Sequence, residues 1–105
     1  MTIVSVLYPK SSTSHFDHDY YTQKHIPLVQ ARWTEMGLER VELMRGETTL
    51  DGASPSYELI GLLSFGSAEQ VQAALAKFGA EIVGDIPNFT NVEPMIQLNS
   101  LVQDQ

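Results

Sequence analysis

The chain has no cysteine, which removes disulfides, thiolate nucleophiles and Cys-ligated zinc from consideration. Positive charge is scarce: six Lys and Arg stand against thirteen Asp and Glu, a formal net charge of -7. The acidic residues are scattered from Asp17 to Asp104 rather than gathered in a block. Such a chain, without a basic stripe, is a poor partner for nucleic acid or an anionic membrane, and its charge serves solubility. Long hydrophobic runs are missing as well. No stretch approaches the length of a membrane span. The opening MTIVSVLYP lacks the basic flank and small-residue cleavage site of a signal peptide, so a cytoplasmic location is expected. Gly-rich phosphate loops of the GxGxxG or Walker type are absent, as is a serine nucleophile elbow.

What is present is ordinary globular composition, 43% hydrophobic and 18% charged, which argues against disorder. The 105 residues make a single domain, 1–105, whose modest core a partner chain would help to complete. Ile3–Tyr8 is β-rich and Pro9 closes it. Asp17 is a good N-cap for a helix running to Met36, with Phe16 and Tyr21 at the positions of a hydrophobic staple and Gly37 as the stop. Arg40–Glu47 reads as a second strand, and TTLDGASPS as a loop. Tyr57–Phe65 is a third strand. A second helix opens at Ser67. Its apolar stripe is Val71, Ala74, Leu75, Phe78 and Ile82, and it ends at Gly79 or Gly84. DIPN turns the chain into a fourth strand, Phe89–Leu98, at an edge or bulge because of Pro94. A loose tail ends in QDQ.

The order β-α-β-β-α-β predicts an α+β, ferredoxin-like subunit with both helices on one face of a four-stranded antiparallel sheet. The face away from the helices should then be polar, yet Ile60 and Leu62 in the third strand, and Ile3 and Leu7 in the first, point to it. A sheet apolar on both sides needs a second cover. A homodimer closed through the two sheet faces supplies one.

At about 100° per residue, Tyr21, His25, Leu28, Val29, Arg32 and Met36 share the inward face of the first helix. Pro27 has no N–H and crowds the carbonyl of Gln23, so the helix should kink there and loosen packing beside His25. A titratable imidazole at a packing gap can act as an acid or base. A histidine merely satisfied by hydrogen bonds is the plain alternative. No carboxylate on this face can orient it, so its partner should come from a strand, with Tyr8, Glu58, Asn91 and Gln97 as candidates. Tyr8, Tyr20, Tyr21 and Trp33 combine apolar rings with polar atoms and suit the walls of a pocket. Arg32 could meet an anionic group, or form a surface salt bridge. HFDH (His15–His18) has weak spacing for a metal and reads as a solvated helix start.

LYP in the first strand, FDHDYYTQKHIPLV in the first helix and DIPNFTNVEPMIQL before the last strand together resemble the EthD family, named for a small protein linked to ethyl tert-butyl ether degradation. The resemblance spans nearly the whole chain, and its motif falls on Phe16, Asp17, Tyr20, Tyr21, His25, Pro27 and Leu28. It implies a dimeric α+β barrel of ferredoxin-like subunits. The leading expectation is a small barrel that binds and transforms, or carries, a small apolar organic compound between helix and sheet. His25 would be its catalytic group and Tyr8, Tyr20, Tyr21, Trp33 and Arg32 its substrate contacts, with no metal or cofactor. An oxidoreductase and another cofactor-free acid–base enzyme are the enzyme classes in view. A carrier without turnover, a haem-binding barrel with His25 as axial ligand and a cofactor-free monooxygenase-like barrel are the competing readings.

Overall fold

Alternation of inward and outward side chains in four strands builds one antiparallel sheet, ordered β2-β3-β1-β4. The strands are β1 Thr2–Pro9, β2 Leu38–Arg45, β3 Tyr57–Phe65 and β4 Met95–Ser100. This computed structural model describes residues 1–102, and Gln103, Asp104 and Gln105, where the expected tail ends, lie outside it. Val4, Leu63 and Phe65 on one face of the sheet pack with Val29 and Trp33 of the first helix and Val71, Ala74 and Ile82 of the second. Both helices therefore cover the same face, and the ferredoxin-like α+β reading holds. Among the described residues no helix is long and apolar enough to cross a membrane.

The first helix departs from the simple expectation. It starts as an α-turn, His18–Tyr20, capped by the Asp17 carboxylate, which accepts from the Tyr20 N–H at 3.1 Å. It then widens into a π-turn, Tyr21–His25, and resumes as α-helix over Ile26–Trp33. A short 3-10 turn, Thr34–Met36, ends at Gly37, whose φ of 110° is the left-handed conformation that favours glycine. The π-turn lies immediately before Pro27. An extra residue per turn relieves the clash that the proline ring would otherwise make one turn back, so the helix bulges instead of breaking. The inward face shifts in consequence. Tyr21, His25, Ile26, Val29 and Trp33 are buried, whereas Arg32 has turned outward.

Three other boundaries move. The second helix, Ala68–Asp85, runs straight through Gly79 and Gly84; burial of Val71, Ala74 and Ile82 outweighs the cost of about 1 kcal/mol that each glycine imposes. β2 begins earlier than Arg40, and a register shift between Leu38 and Arg40 lets Leu38 enter the core. The fourth strand begins at Met95 rather than Phe89. A 3-10 turn, Ile86–Asn88, follows the helix and drops Phe89, with 0% of its surface exposed, into the core.

Phe89 is the hub of an aromatic cluster. Its ring centroid lies 5.8 Å from Tyr8, 5.3 Å from Phe16, 5.2 Å from Tyr21 and 4.6 Å from the imidazole of His25. The backbone pins it there, since its carbonyl accepts from the Asp17 N–H at 2.7 Å. Asn91 ties the same loop to the entry of the first helix. Its Oδ1 accepts from the His15 N–H at 2.8 Å and its Nδ2 donates to the Thr13 carbonyl at 3.0 Å. Phe89→Ala removes the hub without touching a hydrogen bond, so it is expected to cost about 3–5 kcal/mol of stability in urea unfolding. A loss below about 1 kcal/mol would show that the cluster tolerates collapse.

Candidate functional site

The end of the second helix supplies what the first helix lacks, a carboxylate for His25. Asp85 Oδ2 lies 2.9 Å from His25 Nδ1. An ionised carboxylate only accepts, so Nδ1 carries the proton and donates it. The other oxygen, Oδ1, accepts from the Tyr20 hydroxyl at 2.7 Å and from Asn88 Nδ2 at 2.9 Å. The pairing corrects the expectation of a partner from a strand. Glu58 is engaged with His18 Nε2 at 2.8 Å. Asn91 holds the loop described above, and Gln97 bonds Asn99 within β4. Tyr8 packs its ring on Tyr21, 5.9 Å between centroids, and makes no hydrogen bond to His25. An acidic residue at a helix C-terminus opposes the helix dipole. That anomaly is the one signal in the sequence that Asp85 has donors of its own.

Burial pushes the imidazole of His25 below its ordinary value of 6.5; the bond to Asp85 and its charge pull upward without overcoming that loss of hydration. For Asp85, burial raises the carboxyl, but the hydrogen bonds from Asn88, His25 and Tyr20 outweigh it and hold the group below its ordinary 3.8. At neutral pH the pair is thus a carboxylate and a neutral imidazole with a free lone pair on Nε2.

His25 forms part of the wall of a cavity between the helices and the sheet, about 60 Å³ in volume and several times the space one water needs. Tyr8, Tyr21, Trp33, Val6, Leu63 and Ile82 line it too. Its mouth lies between the second helix and β4, where the lining residues Leu75, Val83 and Ile96 are exposed. Among the described residues, no fully buried side-chain nitrogen or oxygen lacks a hydrogen-bond partner. His25 Nε2 and the hydroxyls of Tyr8 and Tyr21 have no protein partner among those residues, so each keeps access to open space. The space all three residues border is the cavity. Gly61 makes room for one of them, since a Cβ there would sit 3.1 Å from the Tyr21 hydroxyl. Burial, with Tyr21 adding to it, raises Tyr8 well above the ordinary phenol value, and burial does the same to Tyr21. Both stay protonated donors.

The fold brings four of the six residues expected at a site to one cavity: His25, Tyr8, Tyr21 and Trp33. Trp33 presents only its ring, because its Nε1 donates to the Ala74 carbonyl at 3.0 Å. Tyr20 stands behind His25, on the far side of Asp85. Arg32 lies outside the cavity. It pairs with Glu81 through two bonds, of 2.8 and 3.1 Å, and its guanidinium lies 5.7 Å from the Phe78 ring centre. Residues missed by sequence reasoning are Asp85, Asn88 and Gly61. No group of three or more His, Cys, Asp or Glu side chains among the described residues could hold a metal ion.

No protein-family model matches the chain, and no curated protein matches it. Solved structures do. An EthD-like protein from Ralstonia eutropha JMP134 is similar at 33% identity and a TM-score of 0.90, over 99% of this chain and 94% of that one. An ethyl tert-butyl ether degradation (EthD) family protein from Bacillus halodurans C-125 is 19% identical, with a TM-score of 0.78 over 97% of this chain and 99% of that one. More distantly, a dimeric ferredoxin-like protein from an uncultured marine organism is 11% identical with a TM-score of 0.56, covering 100% of this chain and 98% of its own. The fold is shared with all three. Identity and coverage against the Ralstonia protein, over a chain whose first helix carries the F-D-x-x-Y-Y-x-x-x-H-x-P-L pattern, place this protein in the EthD family.

Proposed function

We propose that the cavity binds a small, neutral, apolar organic molecule and that His25 exchanges a proton with it through Nε2. The observation that carries this reading is the asymmetry of the imidazole of a cavity-lining residue: Nδ1 is fixed by Asp85, and Nε2 has no hydrogen-bond partner among the described residues. A carrier would need only the apolar walls. A half-buried carboxylate that sets the tautomer and offsets an imidazolium is what a general base requires. The walls fit a neutral guest, because no Lys, Arg, Asp or Glu among the described residues lines the cavity. Tyr20 and Asn88 act on the ligand only through Asp85, and Arg32 takes no part.

The working unit in this reading is a homodimer closed through the sheet faces. Strand register sets Met44, Ile60, Leu7 and Met95 side by side, one apolar row across all four strands on the face away from the helices. Met44 is 45% exposed and Met95 49%. Neighbouring rows mix Leu62 and Ile3 with Glu42, Gln97 and Asn99. A patch of this kind is seldom left to water. Its burial against a second copy would close two sheets into a barrel, and the dimeric ferredoxin-like neighbour supports the arrangement. Sedimentation at micromolar concentration is expected to give a dimer, and Leu7→Glu to shift it to monomer. A wild-type monomer would remove the sheet-face interface.

Trp33 is the only tryptophan in the chain, so its fluorescence reports on the cavity. Screening small neutral organic compounds this way should find saturable binders; turnover is then assayed on those. His25→Ala is expected to lower turnover by about 10²–10⁴-fold, with Asp85→Asn also lowering it by misplacing the Nδ1 proton. The sign of the pH dependence follows from the lowered imidazole. The base is the neutral form, so the rate should be flat above pH 6.5 and fall on the acid side, below the depressed value. Binding that survives with no turnover in any wild-type assay would favour a carrier.

A further inference from the structure

Three polar atoms without hydrogen-bond partners among the described residues belong to side chains that line one apolar cavity, and their chemistry narrows the ligand. Two are phenol hydroxyls, Tyr8 and Tyr21, whose rings meet edge to face at 5.9 Å. The third is Nε2 of His25, whose ring stacks on Tyr21 at 5.6 Å and 22°. The hydroxyls can donate, and Nε2 of the neutral imidazole can only accept. A guest that satisfies all three offers an oxygen with two lone pairs and, next to it, a hydrogen that a base can take. An ether or a hydrocarbon has no hydrogen acidic enough for Nε2 to take. A carboxylate or phosphate finds no cation in the lining and loses its hydration.

We infer that the ligand class is a small neutral ketone with an acidic α C–H, its carbonyl oxygen held by the Tyr8 and Tyr21 hydroxyls while His25 Nε2 removes the α-proton. The inference deepens the acid–base reading of His25 and rests on it. The step balances without an oxidant or cofactor. The Nε2 lone pair takes the proton, and the C–H electron pair becomes the new carbon–carbon double bond. The carbonyl π pair moves to oxygen. The enolate oxygen accepts from the two phenols, which remain donors because burial holds their protons on. The imidazolium is balanced by Asp85, 2.9 Å away. Proton return from Nε2 to carbon closes the cycle, and exchange of that proton with water puts a solvent hydrogen on the α-carbon. Fixed donors aimed at a developing oxyanion in a site shielded from water are the most effective way a protein lowers such a barrier.

The test uses cyclopentanone and cyclopentane as a matched pair. Binding of each is read by Trp33 fluorescence, and α-hydrogen exchange of the ketone in deuterated water by proton NMR. The ketone is expected to bind at least tenfold more tightly than the hydrocarbon and to exchange at least tenfold faster than in buffer. Exchange in excess of the buffer rate should vanish in His25→Ala and fall by about 10²–10³-fold in Tyr8→Phe and in Tyr21→Phe. Both phenylalanine variants should keep the wild-type melting temperature, since each lost hydroxyl has no partner among the described residues. Equal binding of ketone and hydrocarbon would overturn the inference, as would bound ketone that exchanges no faster than in buffer; either result leaves the acid–base cavity itself standing. Failure of both compounds to bind would take the proposed function down with it.

Discussion

The hydrogen bond between Asp85 and His25 is the contact on which the proposed acid–base chemistry depends. It joins the last turn of one helix to the π-turn of the other, 60 residues apart. Asp85 is poorly placed by the helix dipole, and three donors, from His25, Tyr20 and Asn88, are what make the position tolerable. The same bond settles the imidazole tautomer, and with it the direction of the free lone pair. It also sets the path of the chain beyond the helix, where the Ile86–Asn88 turn brings Phe89 back against the His25 ring. Packing and acid–base capacity are thus one arrangement in this part of the fold.

The π-turn is the second half of that arrangement. Without the extra residue, Tyr21 and Trp33 would not share an inward face, because twelve positions of straight α-helix carry a side chain about 120° around the axis. With it, Tyr21, His25, Ile26, Val29 and Trp33 all face the sheet. Pro27 sits at the junction, and the expected kink becomes a bulge that places a titratable group at the edge of a cavity. π-bulges are frequent at functional sites for this reason.

The amino-acid sequence makes much of this legible, and the parts it hides have physical causes. Alternating apolar residues in β1 and β3, the Asp17 and Ser67 caps and the stop at Gly37 give the β-α-β-β-α-β order directly. The apolar second face is visible in Ile3, Leu7, Ile60 and Leu62, though only the strand register shows that Met44 and Met95 complete a row. Ring chemistry and helical spacing point to His25, Tyr8, Tyr21 and Trp33, and all four line the cavity. A uniform 100° step puts Arg32 on the inward face because it cannot contain a π-turn. Phe89 reads as a strand residue by propensity, yet a buried aromatic in a loop can outweigh that preference. Asp85 is hidden because DIPN looks like a turn, and a partner 60 residues distant leaves no periodic trace.

The most direct measurement is of the His25 imidazole itself, by nitrogen NMR across pH in the wild-type protein. The expected result at pH 7 is a neutral ring with its proton on Nδ1 and a bare Nε2, titrating below 6.5 and losing the Nδ1 preference in Asp85→Ala. A ring protonated on Nε2 at neutral pH, or one that titrates above 7, would contradict a base held by Asp85 and open to the cavity.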